Sequence, residues 1–273
     1  MSCSAFRRVF VSGLVLATMI MTASQAYCSK FSGEISQIKG TVEVQKTGRQ
    51  QWLKAINGLP VQLKDKIRTR QKSSCNLELD DGSLIFVDQN TKASVEFIEV
   101  TQERHSSTLG LWFGKLLSNV KKNQTTKMNI KCPSAVISVR GTEFAVEVGT
   151  GTTDVGVFEG EVAVSTDTGK TGEELDAMEP EASAVSVRPD EQTTVVQGEA
   201  PKPPTRLSLM MQKNRDKMNE LRGRADQLRE KLKRARPESM DKVRQKALDR
   251  FLSVKEEKNS LKERIKNKRD QLR

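Results

Sequence analysis

Residues 136–166 read VISVRGTEFAVEVGTGTTDVGVFEGEVAVST, and this stretch decides the fold. Apolar residues occupy every second position in three successive runs: Phe144, Val146 and Val148, then Val155 and Val157, then Val162 and Val164. A period of two is typical of β-strands that bury one face. The stretch therefore predicts three half-buried strands, and it contains no pattern that is typical of a catalytic site.

Glycines mark the connections between these strands. A polar turn over residues 149–153 separates the first two strands. Glu159-Gly160 separates the second from the third, where glycine can adopt the positive φ that a tight hairpin needs. Gly141 interrupts an apolar run between Arg140 and Thr142, so we expect a β-bulge or a point of close backbone approach there.

Short strands with turn signals continue on both sides of this stretch. Asp80-Asp81-Gly82 is a strong hairpin signal between apolar runs at residues 75–79 and 83–87. The acidic residues 167–184 are expected to form a surface loop. Further strands are predicted at residues 41–44, 93–100, 109–120, 128–132, 184–187 and 192–196. The fold class is therefore mainly β, with an all-β module of stacked short strands, sandwich or solenoid-like, over residues 31–198.

The pattern changes after residue 198. Prolines at 201, 203 and 204 make residues 199–205 a stiff, extended linker and the clearest domain boundary. Beyond it, apolar residues recur at alternating spacings of four and three, the heptad pattern of a coiled-coil seam. The seam contains Leu207, Met211, Met218, Leu221, Leu228 and Leu232 in a first run, and Leu261 and Ile265 in a second.

Residues 206–273 are therefore predicted to form a basic, C-terminal α-helical coiled coil or helical hairpin. Pro237 divides it into helices at 206–235 and 237–272, because proline lacks a backbone donor. These helices pair within one chain or associate with other copies. Residues 201–273 hold 24 of the 46 Lys and Arg but only 11 of the 35 Asp and Glu. A basic arm of this kind indicates self-association or attachment to an anionic envelope surface, and the alternative is that its charges only solvate the outer face of a helical bundle.

Residues 1–26 are typical of a secretory signal peptide. Arg7 and Arg8 precede an apolar run at residues 9–22, and small residues precede a predicted cleavage after Ala26. The alternative is an uncleaved membrane anchor, although the run is shorter than the ~20 apolar residues of a spanning helix. Under both interpretations the β-module is expected outside the cytoplasm, periplasmic or secreted, in a bacterial cell envelope.

Three cysteines remain after removal of the signal peptide: Cys28, Cys75 and Cys132. An oxidising compartment allows a disulfide, and Cys75–Cys132 is the favoured pair. The alternative is that both are small, buried, apolar side chains. The sequence alone leaves both open.

No metal, cofactor or catalytic site is predicted. His105 is the only histidine, no zinc-ligand spacing occurs, and Asp80, Asp81 and Asp88 match no calcium loop. The sequence also lacks a nucleophile elbow, a phosphate loop and paired carboxylates in a recognisable frame. Nucleic-acid binding by the tail is not expected, because a secretion signal is present and the basic residues alternate with an apolar seam.

Six motifs in order resemble the FecR domain family. They are Gly40-Thr41-Val42, Leu63-x-Asp65-x-Ile67-x-Thr69, Leu77-x-Leu79-Asp80-Asp81-Gly82-Ser83, Leu109-x-Leu111-x-x-Gly114-Lys115-Leu116, Val139-Arg140-Gly141-Thr142-Glu143-Phe144-x-Val146 and Val155-x-Val157-Phe158-Glu159-Gly160-x-Val162-x-Val164. The resemblance covers residues 34–198 and implies an all-β, extracytoplasmic module used for protein–protein contact. Its structural motif positions are Asp81, Gly82, Gly141, Thr142, Phe144, Glu159 and Gly160.

The best-known members of that family are inner-membrane regulators that pass an iron-siderophore signal from an outer-membrane receptor to a sigma factor. They carry a cytoplasmic sigma-binding segment before a membrane helix, whereas only six residues precede Arg7 here. Two functions therefore stay open. One is a non-enzymatic scaffold that docks a protein partner and oligomerises or attaches to the envelope through its coiled coil. The other is a membrane-anchored signal-transduction protein related to the FecR-type sigma-factor regulators.

Overall fold

The computed structural model describes residues 32–100, 105–123, 125–167, 169–177, 184–236 and 239–253. Strands make up 45% of the described residues and helices 22%, which confirms the mainly β fold class. The predicted signal peptide at residues 1–26 and the predicted seam residues Leu261 and Ile265 lie outside the described residues.

The described residues contain 17 strands and four helices. The strands are β1 (Gly33–Lys39), β2 (Val42–Gln45), β3 (Leu53–Lys54), β4 (Leu59–Val61), β5 (Lys66–Thr69), β6 (Ser74–Leu79), β7 (Leu84–Val87), β8 (Lys92–Val100), β9 (His105–Asn119), β10 (Thr126–Lys131), β11 (Ala135–Val139), β12 (Glu143–Val148), β13 (Thr152–Glu159), β14 (Val162–Thr166), β15 (Val185–Val187), β16 (Glu191–Val196) and β17 (Thr205–Arg206). The helices are α1 (Gly172–Ala177), α2 (Leu209–Gln212), α3 (Asn214–Arg234) and α4 (residues 239–253).

The strands form two packed sheets that share β9. Sheet A runs β4-β1-β6-β7-β9-β12-β13-β16-β17. Sheet B runs β3-β2-β5-β8-β9-β10-β11-β14-β15. The inward faces of both sheets share one core, which includes Ile35 and Leu77 from sheet A and Val42 and Ile67 from sheet B. The module is thus a sandwich, and β6 and β7 form the hairpin that Asp80-Asp81-Gly82 predicts.

Strand β9 links the two sheets because it bends at Gly114. Residues 105–113 pair with β8 in sheet B, whereas residues 114–119 pair with β12 in sheet A. Gly114 has a φ of 96°, and a Cβ atom there would lie 2.5 Å from the Cα of Thr91. A positive φ and so close a neighbouring backbone together require glycine.

Gly160 does not close a hairpin, contrary to the prediction. Its φ is 84°, as expected, but β13 pairs with β12 and β16 in sheet A while β14 pairs with β11 and β15 in sheet B. The turn therefore carries the chain from one layer to the other. Alternation predicted the strands but not their layers, because both strands bury their apolar sides in the same core.

A short helix occupies part of the predicted acidic loop. Helix α1 begins with a capping box, in which the Glu174 amide donates to the Thr171 hydroxyl (3.3 Å) and the Glu174 carboxylate accepts from the Thr171 amide (2.6 Å). The helix packs on the outer face of sheet B, where the Thr108 hydroxyl donates to the Gly172 carbonyl (3.2 Å). The sequence signal for this helix was the Thr-x-x-Glu pair.

The first run of the predicted coiled-coil seam packs against sheet A. The stripe covers the outer face of that sheet next to Leu84, Leu117 and Ala145. Its buried members are Leu207, Met211, Met218, Leu221 and Leu228, with Leu232 partly buried. The structure therefore uses these residues for helix–sheet packing within the chain. A heptad stripe predicts an apolar helix face but does not say whether a helix or a sheet covers it.

The predicted linker and α4 also contact the sandwich. The Lys202 amide donates to the Thr194 carbonyl (3.0 Å), and β17 pairs with β16. Helix α4 adds Leu248 and Phe251 to the core between the sheets. The basic tail, as far as residue 253, is therefore packed onto the β-module rather than held away from it.

Candidate functional site

Several of the sequence motifs meet at one end of the sandwich. The amide of Val120 donates to the carbonyl of Thr142 (3.0 Å). A Cβ on Gly141 would lie 2.6 Å from the Cα of Lys122, and one on Gly160 would lie 2.9 Å from the hydroxyl of Thr142. Gly141 is thus a point of close backbone approach, as predicted. We call this group of contacting turns the motif turns: residues 80–83, 120–122, 140–142 and 159–161.

The Asp80-Asp81-Gly82 turn joins the group through Ser83. The Asp81 carboxylate accepts from the Ser83 amide (2.7 Å) and hydroxyl (3.0 Å), an Asx turn. The Ser83 hydroxyl oxygen in turn accepts from the Lys121 amide (3.2 Å). Burial raises the pKa of the Asp81 carboxyl, while its bonds from Ser83 act in the opposite direction. Asp81 therefore holds the shape of the turn.

Helix α3 reaches the motif turns through Arg222. This guanidinium binds Glu143 by two parallel bonds, Nε–Oε1 at 2.8 Å and Nη2–Oε2 at 2.6 Å, and Nη2 also lies 3.4 Å from Glu159. Glu143 is buried and accepts a further bond from the Asn119 amide group (2.6 Å). The hydrogen bonds to Glu143 raise the pKa of Arg222. Such bidentate pairs are the strongest charge-assisted bonds in proteins.

Arg229, seven residues further along α3, continues the same network. Its Nε donates to the carbonyl of Gly82 (3.2 Å) and its Nη2 donates to the Asn119 side-chain oxygen (2.5 Å). A Cβ on Gly82 would lie 3.1 Å from the Cγ of Arg229, so the arginine stem lies over this glycine. We call Asn119, Glu143, Arg222 and Arg229 the arginine network. It fixes α3 to the outer face of sheet A where β9 ends and β12 begins.

A second ion pair fixes α4 beside the same turns. Arg244 binds Asp80 through Nη1–Oδ2 and Nη2–Oδ1, both at 2.7 Å, and Lys231 of α3 binds Glu34 at 2.8 Å. Burial raises the pKa of Asp80, and the bonds from Arg244 partly oppose that shift. Both tail helices are therefore anchored by basic side chains at the Asp80-Asp81-Gly82 turn.

The structure brings most of the predicted motif positions together. Six of the seven positions lie in the motif turns: Asp81, Gly82, Gly141, Thr142, Glu159 and Gly160. Phe144 lies apart, fully buried between the sheets. The sequence prediction missed Arg222 and Arg229. Their seven-residue spacing beside the apolar stripe was a usable signal, because residues one heptad apart share a helix face.

Cys75 and Cys132 are both buried and free, so the predicted disulfide is not present in the structure. Cys75 belongs to β6 in sheet A, and Cys132 follows β10 in sheet B. Both sulfurs lie in the apolar core. Burial raises the pKa of the Cys75 thiol to about 12 and raises that of Cys132 as well. The alternative of two small buried thiols describes what the structure contains.

Both buried thiols are expected to resist alkylation in the native protein. At pH 8 a thiol of pKa about 12 is almost wholly protonated, and the thiolate is the reactive form. Iodoacetamide labelling, read by mass spectrometry of the Cys75 and Cys132 peptides, should be slow in buffer and fast in urea without reductant. Fast native labelling, or urea labelling that requires reductant, would contradict the two free buried thiols.

The described residues hold no metal-binding cluster, and the cavity at the motif turns is too small for a ligand. No group of three or more His, Cys, Asp or Glu side chains in these residues is placed to hold a metal ion. The cavity beside Asp81 and His105 measures about 10 Å³, room for a water molecule at most. None of the helices described in residues 32–253 has both the length and the hydrophobicity to cross a membrane.

Comparison with known proteins finds a family model that matches part of the β-module. The family model described as FecR protein matches residues 65–163, little more than a third of the chain. No curated protein matches the sequence. Two crystal structures of a candidate anti-sigma factor from Parabacteroides distasonis are similar at 17% identity, with TM-scores of 0.39 and 0.40, over 52% of this chain. This chain spans 59% of the length of those proteins.

Proposed function

We propose, from the premise that the chain carries a FecR domain over residues 65–163, that this protein is a non-enzymatic, FecR-type regulator. In this proposal the β-module lies outside the cytoplasm and receives its signal by binding a protein partner. The family match is the observation that carries the proposal. The arrangement of the motif turns is consistent with it, because their side chains form structural bonds and the cavity beside Asp81 and His105 is too small for a substrate.

The position of the tail favours a regulator over an oligomerising scaffold. A scaffold would need the apolar stripe of the first tail helix for self-association. That stripe is buried against the outer face of sheet A, with Met218 and Leu221 at most 1% exposed. Before the stripe could pair with a second copy, it would have to leave sheet A. Its departure would expose the apolar outer face of that sheet to water, which is unfavourable. A scaffold that assembles through this stripe is therefore the weaker alternative.

The regulator proposal includes a membrane anchor. Residues 9–22 would stay attached and hold the β-module at the outer face of the inner membrane. In the scaffold alternative the same residues are removed with the signal peptide, and the protein begins at Tyr27. The length of the protein in cells therefore distinguishes the two functions.

The test is carried out on the full chain in its own cells. A photo-crosslinking amino acid is placed at exposed positions Ile56, Phe113 or Thr150, with buried Phe144 as the control. We expect one dominant cross-linked protein at one or more of the exposed positions, and peptides that precede Tyr27 in the membrane fraction. A mature N-terminus at Tyr27, or cross-links only between copies of this chain, would contradict the regulator proposal.

A further inference from the structure

The outer face of sheet B carries a basic row across five strands. Direct register places Lys54, Glu43, Arg68, Lys92 and Phe113 side by side on β3, β2, β5, β8 and β9. Directly opposed residues project from the same side of a sheet. Four strand spacings of about 4.8 Å make the row about 19 Å wide. Glu43 is its single carboxylate.

Both tryptophans of the chain adjoin this row. The guanidinium of Arg68 lies 4.2 Å from the ring centroid of Trp52, a cation–π contact. Trp112 donates its Nε1 proton to the Ser94 hydroxyl (3.1 Å), and Ser94 pairs with Lys66. Trp112 and Phe113 are each 49% exposed. We call this surface the basic aromatic face: Trp52, Lys66, Arg68, Lys92, Trp112 and Phe113.

Two guanidinium groups, that of Arg68 in this face and that of Arg70 beside it, are held in place by one carboxylate and keep further donors unused. One oxygen of Glu43 accepts from the Nε of Arg68 and from the Nε of Arg70, both at 2.8 Å. Within the described residues the Nη atoms of these two arginines make no hydrogen bond. The bond from Arg68 lowers the pKa of Glu43, which keeps this anchor ionised at neutral pH. The remaining Nη donors match the geometry of a carboxylate.

We propose that the basic aromatic face is the surface where the β-module binds an acidic segment of its protein partner. The statement that the partner is a protein rests on the proposed function. The position of the contact and the negative charge of the bound segment are inferred from the residues of this face. Trp and Arg are the side chains that most often dominate the binding energy of protein interfaces. An anionic membrane requires only diffuse positive charge, whereas two guanidinium groups fixed by one carboxylate suit individual carboxylates.

The test uses the full chain and its own tryptophan fluorescence, because both tryptophans lie at the face. The probe is a short synthetic peptide that alternates glutamate with leucine and glycine, and the same peptide with glutamine is the neutral control. We expect the acidic peptide to change the fluorescence saturably, with an affinity that falls as salt is added. The neutral peptide should bind at least about tenfold more weakly, since one lost charge-assisted contact has that effect.

Two double variants distinguish peptide binding at this face from peptide binding at the basic tail. Arg68→Gln with Arg70→Gln should weaken acidic-peptide binding at least about tenfold. Arg224→Gln with Lys233→Gln removes the same charge from half-buried Arg224 and exposed Lys233 of α3, and it should change acidic-peptide binding less than about twofold. Equal losses in both pairs, or no saturable binding, would overturn the proposal. Tighter binding to phosphatidylglycerol vesicles than to the peptide, lost in the same Arg68 and Arg70 variant, would also overturn it by assigning the face to a membrane.

The two proposals fail in different ways. Suppose that a protein partner is cross-linked in cells and that the Arg68 and Arg70 substitutions do not change its capture. This result supports the regulator proposal and overturns the assignment of this face. Saturable peptide binding without any cross-linked protein in cells supports the face as a carboxylate-binding surface and contradicts the regulator.

Discussion

Replacing Leu221 with aspartate is expected to free helix α3 from sheet A. Leu221 is fully buried in the contact between the helix and the sheet. Removing a buried leucine costs about 2–5 kcal/mol, and placing an unpaired carboxylate there adds to that cost. The helix contains many lysines and arginines, after which trypsin cleaves. The rate of tryptic cleavage therefore measures how often the helix leaves the sheet. We expect cleavage within residues 214–234 to become roughly 10²–10³ times faster while the strands stay intact.

Gln227→Asp is the matched control for Leu221→Asp. It introduces the same side chain at an exposed position of the same helix, where substitutions usually change stability by less than about 0.5 kcal/mol. Its cleavage rate should equal that of the parent protein. Equal cleavage rates in Leu221→Asp and Gln227→Asp would show that the stripe does not hold the helix to the sandwich.

Replacing Phe144 with alanine is expected to destabilise the sandwich itself. Phe144 is the largest of the fully buried side chains, and it lies between the two sheets. Truncation of a buried phenylalanine costs about 3–5 kcal/mol, because apolar contacts are lost and a cavity remains. Urea denaturation should show an unchanged slope m and a midpoint that is lower by that free energy divided by m.

Phe113→Ala provides the comparison for Phe144→Ala. Phe113 belongs to the same sandwich but is 49% exposed, so its truncation should cost less than about 1 kcal/mol. Similar losses of stability in the two variants would contradict the assignment of Phe144 to the core. They would also be evidence against the two-sheet arrangement, because that arrangement buries the ring of Phe144 and exposes the ring of Phe113.

Alternation in the sequence was enough to predict the strands but not the assembly of the sheets. The runs around Phe144, Val155 and Val162 became β12, β13 and β14 with nearly the predicted limits. The corner at Gly160 was predicted as a hairpin, because a positive φ serves both kinds of turn. Layer membership depends on pairing with strands distant in sequence, such as β13 with β16, which local periodicity does not contain.

The tail illustrates a second limit of the sequence. The heptad stripe predicted the apolar face of α3. It did not predict that sheet A covers this face. One clue lay outside the tail: a Cβ on Gly156 of β13 would lie only 2.4 Å from the Cγ of Met211. A glycine within a strand often marks the close approach of another element. Without the structure, nothing connects that glycine to a methionine in the tail.

The turns of the candidate site were predictable from the sequence, but the ion pairs that hold the tail helices to them were not. Gly82, Gly141 and Gly160 stood out because of their residue type and their motifs. Glu143 and Arg222 were charged residues among many, and their pairing depends on the helix lying on the outer face of sheet A. The basic aromatic face was equally hidden, since Trp52 and Trp112 meet the same row only through the register of sheet B.

The central claim is that the basic tail, as far as residue 253, is an integral layer of this β-sandwich, and amide hydrogen exchange of the full chain tests it most directly. Amides that are packed in a cooperative unit exchange through opening of that unit. We predict that peptides from residues 214–234 exchange far more slowly than an unfolded peptide and are protected alongside β7 and β12. Fast, unprotected exchange in these residues while the strands remain protected would contradict the account.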